Sequence, residues 1–279
     1  MTSRKWHVHY PEEIALSQTY DEVPLYHFLE QSVEKFPDKK AIHFMGKEFS
    51  FKAIHEESKK MAHYLQILGV KKGDRVAIML PNCPQAVISY YGILLAGGTV
   101  VQINPLYKDR ELTYLLNDSG ASIIVCLDIL LPLVNRVKDT TSLNHTIVTT
   151  IKDYLPFPKN RIYPIIQKKQ YNIVVQIVPT EDTHDWALLM KETSGKYDEI
   201  TIDPTEDLAL IQYTGGTTGQ PKGVMLTHYN LVVNVLMCRS WLYKVKEGEE
   251  IILGVLPFFH VYGMTTVMNL GMKIGAKMI

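Results

Sequence analysis

Chemistry concentrates in one stretch of eleven residues, Tyr213-Thr214-Gly215-Gly216-Thr217-Thr218-Gly219-Gln220-Pro221-Lys222-Gly223, which holds four glycines, three threonines and one lysine. A polyphosphate needs backbone N–H groups clear of side chains, hydroxyls that donate to non-bridging oxygens, and a cation. Glycines let the chain fold back tightly and present its amides as an anion-binding nest. Thr214, Thr217 and Thr218 add hydroxyl donors and a candidate Mg²⁺ ligand, and Lys222 adds a compact positive charge. The composition also fits a plain hairpin turn with a solvated lysine. The coincidence of glycines, hydroxyls and lysine in one loop favours phosphate. A Walker loop would put Gly-Lys-Ser/Thr at the start of a helix. Here Lys222 follows Pro221 and precedes the strand-like Gly223-Val224-Met225-Leu226, so a strand–loop–strand cradle is expected.

His260 is the second candidate. It sits among aromatics in Val255-Leu256-Pro257-Phe258-Phe259-His260-Val261-Tyr262-Gly263-Met264. Taken alone, a histidine in such company is most often a packed side chain with one hydrogen-bond partner.

The elements that could hold these stretches alternate from about residue 75. Apolar runs at 75–80, 99–103, 122–127 and 146–149 read as buried strands. Residues 85–96, with Pro84 at the first helical position and Gly97-Gly98 as a stop, read as a helix, and so do 109–117, ended near Gly120. Upstream, 25–36 is an amphipathic helix, 41–44 and 47–50 form a hairpin about Gly46, and Ser50 caps a helix running to about Leu68. The alternation predicts an α/β class: a layered domain of mostly parallel sheet with helices on both faces.

The chain has 279 residues, 46% hydrophobic and 21% charged, enough for one large domain or two smaller ones. Lys plus Arg equal Asp plus Glu at 29 each, which gives no electrostatic case for nucleic acid. Cys83, Cys126 and Cys238 are widely spaced, which argues against a disulfide framework or a zinc site. They read as three isolated buried thiols in a reducing, cytoplasmic setting. The uncharged runs at 76–107 and 251–272 are broken by prolines and glycines, and no apolar stretch follows the basic first ten residues. Neither a spanning helix nor a secretory signal is expected.

Residues 153–198 break the rhythm, punctuated by Pro156, Pro158 and Pro164. Over 152–171, Lys152, Lys159, Arg161, Lys168 and Lys169 face the single acid Asp153, with apolar residues between them. Charge runs usually mark solvated faces, so a surface excursion is the first expectation. A basic amphipathic patch touching an anionic membrane is the second. The chain stops in apolar, strand-like sequence at 267–279, which predicts further chain beyond it.

The run from Tyr213 to Gly223, continued by Val224-Met225-Leu226-Thr227-His228, resembles the AMP-binding signature of the adenylate-forming enzymes, and the His260 stretch resembles their second core motif. Pro81-Asn82-Cys83-Pro84-Gln85, Asn104-Pro105-Leu106-Tyr107 and Asp153-Tyr154-Leu155-Pro156-Phe157-Pro158 bring the whole run nearest to bacterial long-chain fatty acid–CoA ligases. The resemblance implies that residues 1–279 are part of a large N-terminal AMP-binding domain, with the basic excursion near 152–200 and a C-terminal domain outside this chain. It implies ATP-dependent activation of a fatty acid to acyl-adenylate and then acyl-CoA, with ATP, Mg²⁺ and coenzyme A taking part. Tyr213, Thr214, Gly215, Gly216, Thr217, Thr218, Gly219, Lys222 and Gly223 would hold the β- and γ-phosphates, with Lys222 catalytic and Thr217 helping to ligate the metal. His260 would orient the carboxylate, and Tyr262, Gly263 and Met264 would shape the acyl channel, where Gly263 leaves room for the chain.

Relatives that take amino acids need an acid in this second stretch, because a buried ammonium requires a partner. No Asp or Glu lies at or beyond Ile251, which points to an unsubstituted acid. Gly215 stands where many relatives carry serine, one donor fewer. The resemblance also implies a full-length enzyme that forms a homodimer, cytoplasmic or peripheral at the inner membrane face, and a piece that is inactive by itself. An aryl or medium-chain acid–CoA ligase, an acyl-AMP ligase, and a non-catalytic nucleotide- or lipid-binding module are the rival readings.

Overall fold

The computed structural model describes residues 4–215 and 220–279. After α1 (His27–Lys35), the hairpin forms from β1 (Lys40–Phe44) and β2 (Lys47–Ser50). The Ser50 hydroxyl accepts from the Ala53 N–H at 3.1 Å and starts α2 (Phe51–Ile67) as expected. The strands β3 (Arg75–Met79), β4 (Thr99–Gln102), β5 (Ile123–Leu127) and β6 (His145–Thr149) follow, separated by α3 (Pro84–Leu95), α4 (Asp109–Ser119) and α5 (Leu131–Lys138). Then come α6 (Lys159–Tyr171), β7 (Thr183–Asp185), α7 (Trp186–Glu192), β8 (Leu208–Thr214), β9 (Lys222–Thr227), α8 (His228–Trp241), β10 (Ile251–Ile252) and β11 (Lys277–Met278).

The larger sheet runs β7-β6-β5-β3-β4-β8-β9, parallel throughout except for β9, which returns antiparallel to β8. Both its faces are covered, and its central strands read as unbroken apolar runs for that reason. Val76, Ile78 and Leu80 point into one core with α2, α3 and α8. Ala77 and Met79 point into the other, with α4 and α5. The smaller sheet, β10-β11-β1-β2, closes on the first core.

Three expectations need correction. The span 153–198 is not a bare excursion: it contains α6 and α7, and β7 pairs in parallel with β6 through Thr146–Thr183 and Val148–Asp185. β7 is three mostly polar residues, Thr183-His184-Asp185, so no apolar run announces it. The strand-like tail is mostly helix, with widened π turns over Met264–Asn269 followed by an α-turn over Leu270–Ile274. That helix is buried nearly all round, so it lacks the polar face that would reveal its period. Of the thiols, Cys83 and Cys126 are buried but Cys238 is partly exposed.

Candidate active site

Tyr213 pairs across the sheet with Gly223, and Thr214 with Lys222. Directly opposed residues share a face, with Cβ atoms about 5 Å apart. Thr214 and Lys222 are both exposed there, and no heavy atom lies within 4 Å of where a Cβ on Gly215 would sit. An open mouth with one hydroxyl and one ammonium side by side therefore stands at the carboxyl edge of the parallel strands. In open α/β sheets this edge is where ligands bind.

Both arms of the loop are moored to α4. Tyr213 donates its hydroxyl to Asp118 Oδ2 at 2.6 Å, and Tyr114 donates to the Pro221 carbonyl at 3.0 Å. Tyr114 and Asp118 are four apart, so they share one face of the helix. The Tyr213 ring lies over Gly223, where an added Cβ would sit 3.2 Å from its Cζ and 3.0 Å from Ile211 Cγ2. Burial, helped by the Asp118 carboxylate, pushes the Tyr213 phenol well above its ordinary range and keeps it a donor.

The histidine segment is held from two sides. Asn82, in the turn after β3, donates to the Gly254 and Leu256 carbonyls at 2.9 and 2.8 Å and accepts from the Phe258 N–H at 2.7 Å. Gln212, two residues before Thr214, donates to the Phe259 carbonyl at 3.2 Å. One side chain thus spans from the phosphate-loop strand to the neighbour of His260. His260 is exposed, and its Nδ1 accepts from the Tyr262 N–H at 3.3 Å. That bond leaves the proton of the neutral ring on Nε2, available to a carboxylate or phosphate oxygen.

Beyond His260, a groove of about 460 Å³ lies between β9, α8 and the π turns, lined by Leu226, Leu231, Val261, Tyr262, Thr265 and Thr266 among others. Its lining is mainly apolar, with Asn230 and Asn234 at one side.

A sequence model described as "AMP-binding enzyme" matches residues 29–279, nearly the whole chain. The chain belongs to this AMP-binding family. It is 49% identical to a long-chain-fatty-acid–CoA ligase of Bacillus subtilis (strain 168) over all of its own length and 50% of that protein. It is 36% identical to a long-chain-fatty-acid–CoA ligase of Escherichia coli O6:H1 over 98% of its length and 49% of that protein. The crystal structure of a long-chain-fatty-acid–CoA ligase from Archaeoglobus fulgidus superposes with a TM-score of 0.75 at 29% identity, over 94% of this chain and 47% of that one. The chain therefore spans about half the length of the curated relatives it matches.

Against this AMP-binding framework, the expected site residues fall into three groups. Tyr213, Thr214, Gly215, Lys222 and Gly223 gather at the loop mouth, and Gln212 ties them to the segment of His260. Gly216, Thr217, Thr218 and Gly219 lie outside the described residues, and with them the expected metal ligand. Gly263 and Met264 are buried, whereas Tyr262 lines the groove. Gly263 leaves no room for an acyl chain: a Cβ there would lie 2.5 Å from the Pro257 carbonyl oxygen and 2.8 Å from that of Leu256. It is glycine because backbone packs against it.

Sequence reading assigned no role to Asn82, Gln212, Tyr114 or Asp118. The only local signal was for Asn82, a polar residue between two prolines just past a buried strand. His228, at the end of the signature run, is a structural residue. Its Nδ1 accepts from the Leu25 N–H at 3.1 Å, and burial lowers its pKa to about 4.

The described residues fit a nucleotide tail. The mouth is open at Gly215, Lys222 meets no carboxylate at ion-pair distance among the described residues, and Gln212 Oε1 is a buried acceptor without a partner among them. A ligand donor entering between the two segments would satisfy that oxygen.

Proposed function

We propose that the whole protein activates a long-chain fatty acid with ATP and transfers it to coenzyme A. The carboxylate attacks the α-phosphate, forming acyl-adenylate and releasing pyrophosphate. The coenzyme A thiolate then displaces AMP and leaves the thioester. The observation that carries this reading is the Gln212 side chain, which joins an exposed Thr214–Lys222 pair to the segment of His260 beside an apolar groove. The 49% identity to a protein named as such a ligase supports the substrate class.

In this reading Lys222, Thr214 and the amides about Gly215 hold the β- and γ-phosphates and stabilise the departing pyrophosphate, an electrostatic and positioning role. His260 donates from Nε2 to the acid's carboxylate oxygen and orients it for attack. The groove past Tyr262 takes the acyl chain, with Thr265 and Thr266 in place of the expected Gly263 and Met264. Mg²⁺, with Thr217 as a ligand, would neutralise charge on the leaving group. We also assign residues 1–279 to part of one large N-terminal domain.

ATP–pyrophosphate exchange by the full-length protein across a panel of carboxylic acids, with and without coenzyme A, tests this. Exchange dependent on long-chain acids, followed by thioester formation, is the expected result. Exchange only with aryl or short acids, or none, overturns it. Lys222→Ala removes an exposed cation, so exchange should fall at least about tenfold while the melting temperature moves little.

A further inference from the structure

We propose that a buried clamp of Tyr90, Tyr91 and Asn269 fixes the width of the groove beyond His260 and, on the reading that this groove takes the acyl chain, the length of acid the protein accepts. One wall of the groove is the run Met264–Asn269, wound in π turns, with Thr265 and Thr266 in the lining. The widening is visible in the Leu270 N–H, which reaches back five residues to the Thr265 carbonyl. A π turn takes in one residue more than an α-turn; it is uncommon in helices and frequent at functional sites. Plain α-helix would satisfy the same amides, so something must hold the surplus residue in place.

That hold comes from α3, which grips the segment at both ends. Asn82, two residues before α3, fastens 254–258 as described above. Tyr90 and Tyr91, later in the same helix, fasten Asn269. Tyr91 donates its hydroxyl to Asn269 Oδ1 at 2.9 Å, and Asn269 Nδ2 donates to the Tyr90 hydroxyl oxygen at 3.3 Å. All three residues are fully buried, as is every residue of α3. The two rings pack edge to face, 5.4 Å between centroids, which steadies both hydroxyls. Burial pushes both phenols well above their ordinary range, so each keeps its proton.

A buried amide is costly unless its polar atoms find partners, and these partners exist in one register of the helix only. Rewound as α, the run would carry Asn269 off the tyrosines and leave buried hydroxyls unpaired. The same logic lets a single asparagine fix the register of paired helices. A leucine would fill the volume without choosing a register. Between the two grips the chain from His260 to Asn269 holds one residue too many for α geometry, and the π turns absorb it where Thr265 and Thr266 line the groove. Tyr90, Tyr91 and Asn269 are not among the lining residues, so they are positioning residues.

The full-length protein, assayed with saturated acids of about ten to eighteen carbons, decides the matter. Tyr90→Phe, Tyr91→Phe and Asn269→Leu together replace the clamp with apolar groups of nearly the same shape, a change that can leave stability almost unaltered. In that variant, discrimination between the preferred acid and its shorter homologues, read as the ratio of kcat/KM values, should fall at least about tenfold, the scale of one methylene in a fitted pocket. The loss should appear in KM with kcat kept, because the clamp lies away from the reacting atoms. Tyr91→Phe alone should shift the ratio the same way by about fivefold, and it carries the test if the triple variant does not fold. Hydrogen exchange of the 264–270 amides should quicken at least about tenfold in the triple variant while that of α8 stays as in the parent. A lower melting temperature with the parent's acid profile, or parent-like exchange at 264–270, overturns the proposal. A parent that activates none of these acids overturns the fatty-acid reading and this inference with it, whereas an unchanged profile in active variants overturns the clamp alone.

Discussion

Asn82 offers the sharpest test of how the site is held. Its side chain makes three hydrogen bonds to the segment 254–258, two as donor and one as acceptor, all between 2.7 and 2.9 Å. A hydrogen bond of this kind nets about 1 kcal/mol, so three sum to about 3 kcal/mol, and the partial exposure of the clamp reduces the expected loss on Asn82→Ala to about 2 kcal/mol. For a chain of this size that is a fall in melting temperature of roughly 3–4 °C. Asn82→Asp is the informative companion. It keeps the acceptor for the Phe258 N–H but sets carboxylate oxygens against the Gly254 and Leu256 carbonyls, so it should destabilise at least as much as alanine. Because the clamped segment leads directly into His260, acid-dependent ATP–pyrophosphate exchange should fall in both variants by about tenfold to 100-fold, the usual penalty for misplacing a positioning group. Thermal melts and exchange rates on the same preparations check both numbers. If the variants melt lower yet exchange at the parent rate, the clamp is scaffolding alone and the reasoning about His260 fails.

Two further predictions rest on packing and burial. Gly263→Ala puts a methyl against two backbone carbonyls that cannot swing aside, so it should cost about 1–3 kcal/mol, measured by denaturant melts; a parent-like midpoint would contradict the close approach. His228 has its pKa lowered from 6.5 to about 4, so the folded protein favours the neutral ring. That contribution is full above about pH 6.5 and is lost as pH falls through about 4, by about 3 kcal/mol in all. The stability difference between the parent and His228→Gln should therefore shrink as pH falls over that window, and a constant difference in pH-resolved melts would refute it.

Much of the frame was legible because its causes are local. Val76–Leu80 and its neighbours are apolar on both faces, a pattern that only a doubly covered parallel sheet demands, and Gly97-Gly98 and Gly120 end the helices where glycine's freedom is needed. Pro221 before Lys222 correctly excluded a helix after the loop. What stayed hidden depends on distant partners. β7 is a strand only because β6 accepts it. The helix at 264–274 shows no period because neighbours surround it. Asn82 and Gln212 matter through segments 172 and 47 residues away, and no window of sequence contains both ends of either contact.

The Gln212 bridge also limits how strongly two substrates can sense each other. A ligand that shifts the loop strand pulls on Phe259 through a single N–H···O contact, and one that draws His260 toward itself pulls back on Thr214. Linkage makes the effect mutual, and one neutral bond of about 1 kcal/mol sets its scale at about fivefold. Nucleotide and acid bound on either side of this tether should therefore raise or lower one another's affinity only modestly, enough to bias the order of arrival without making either obligatory.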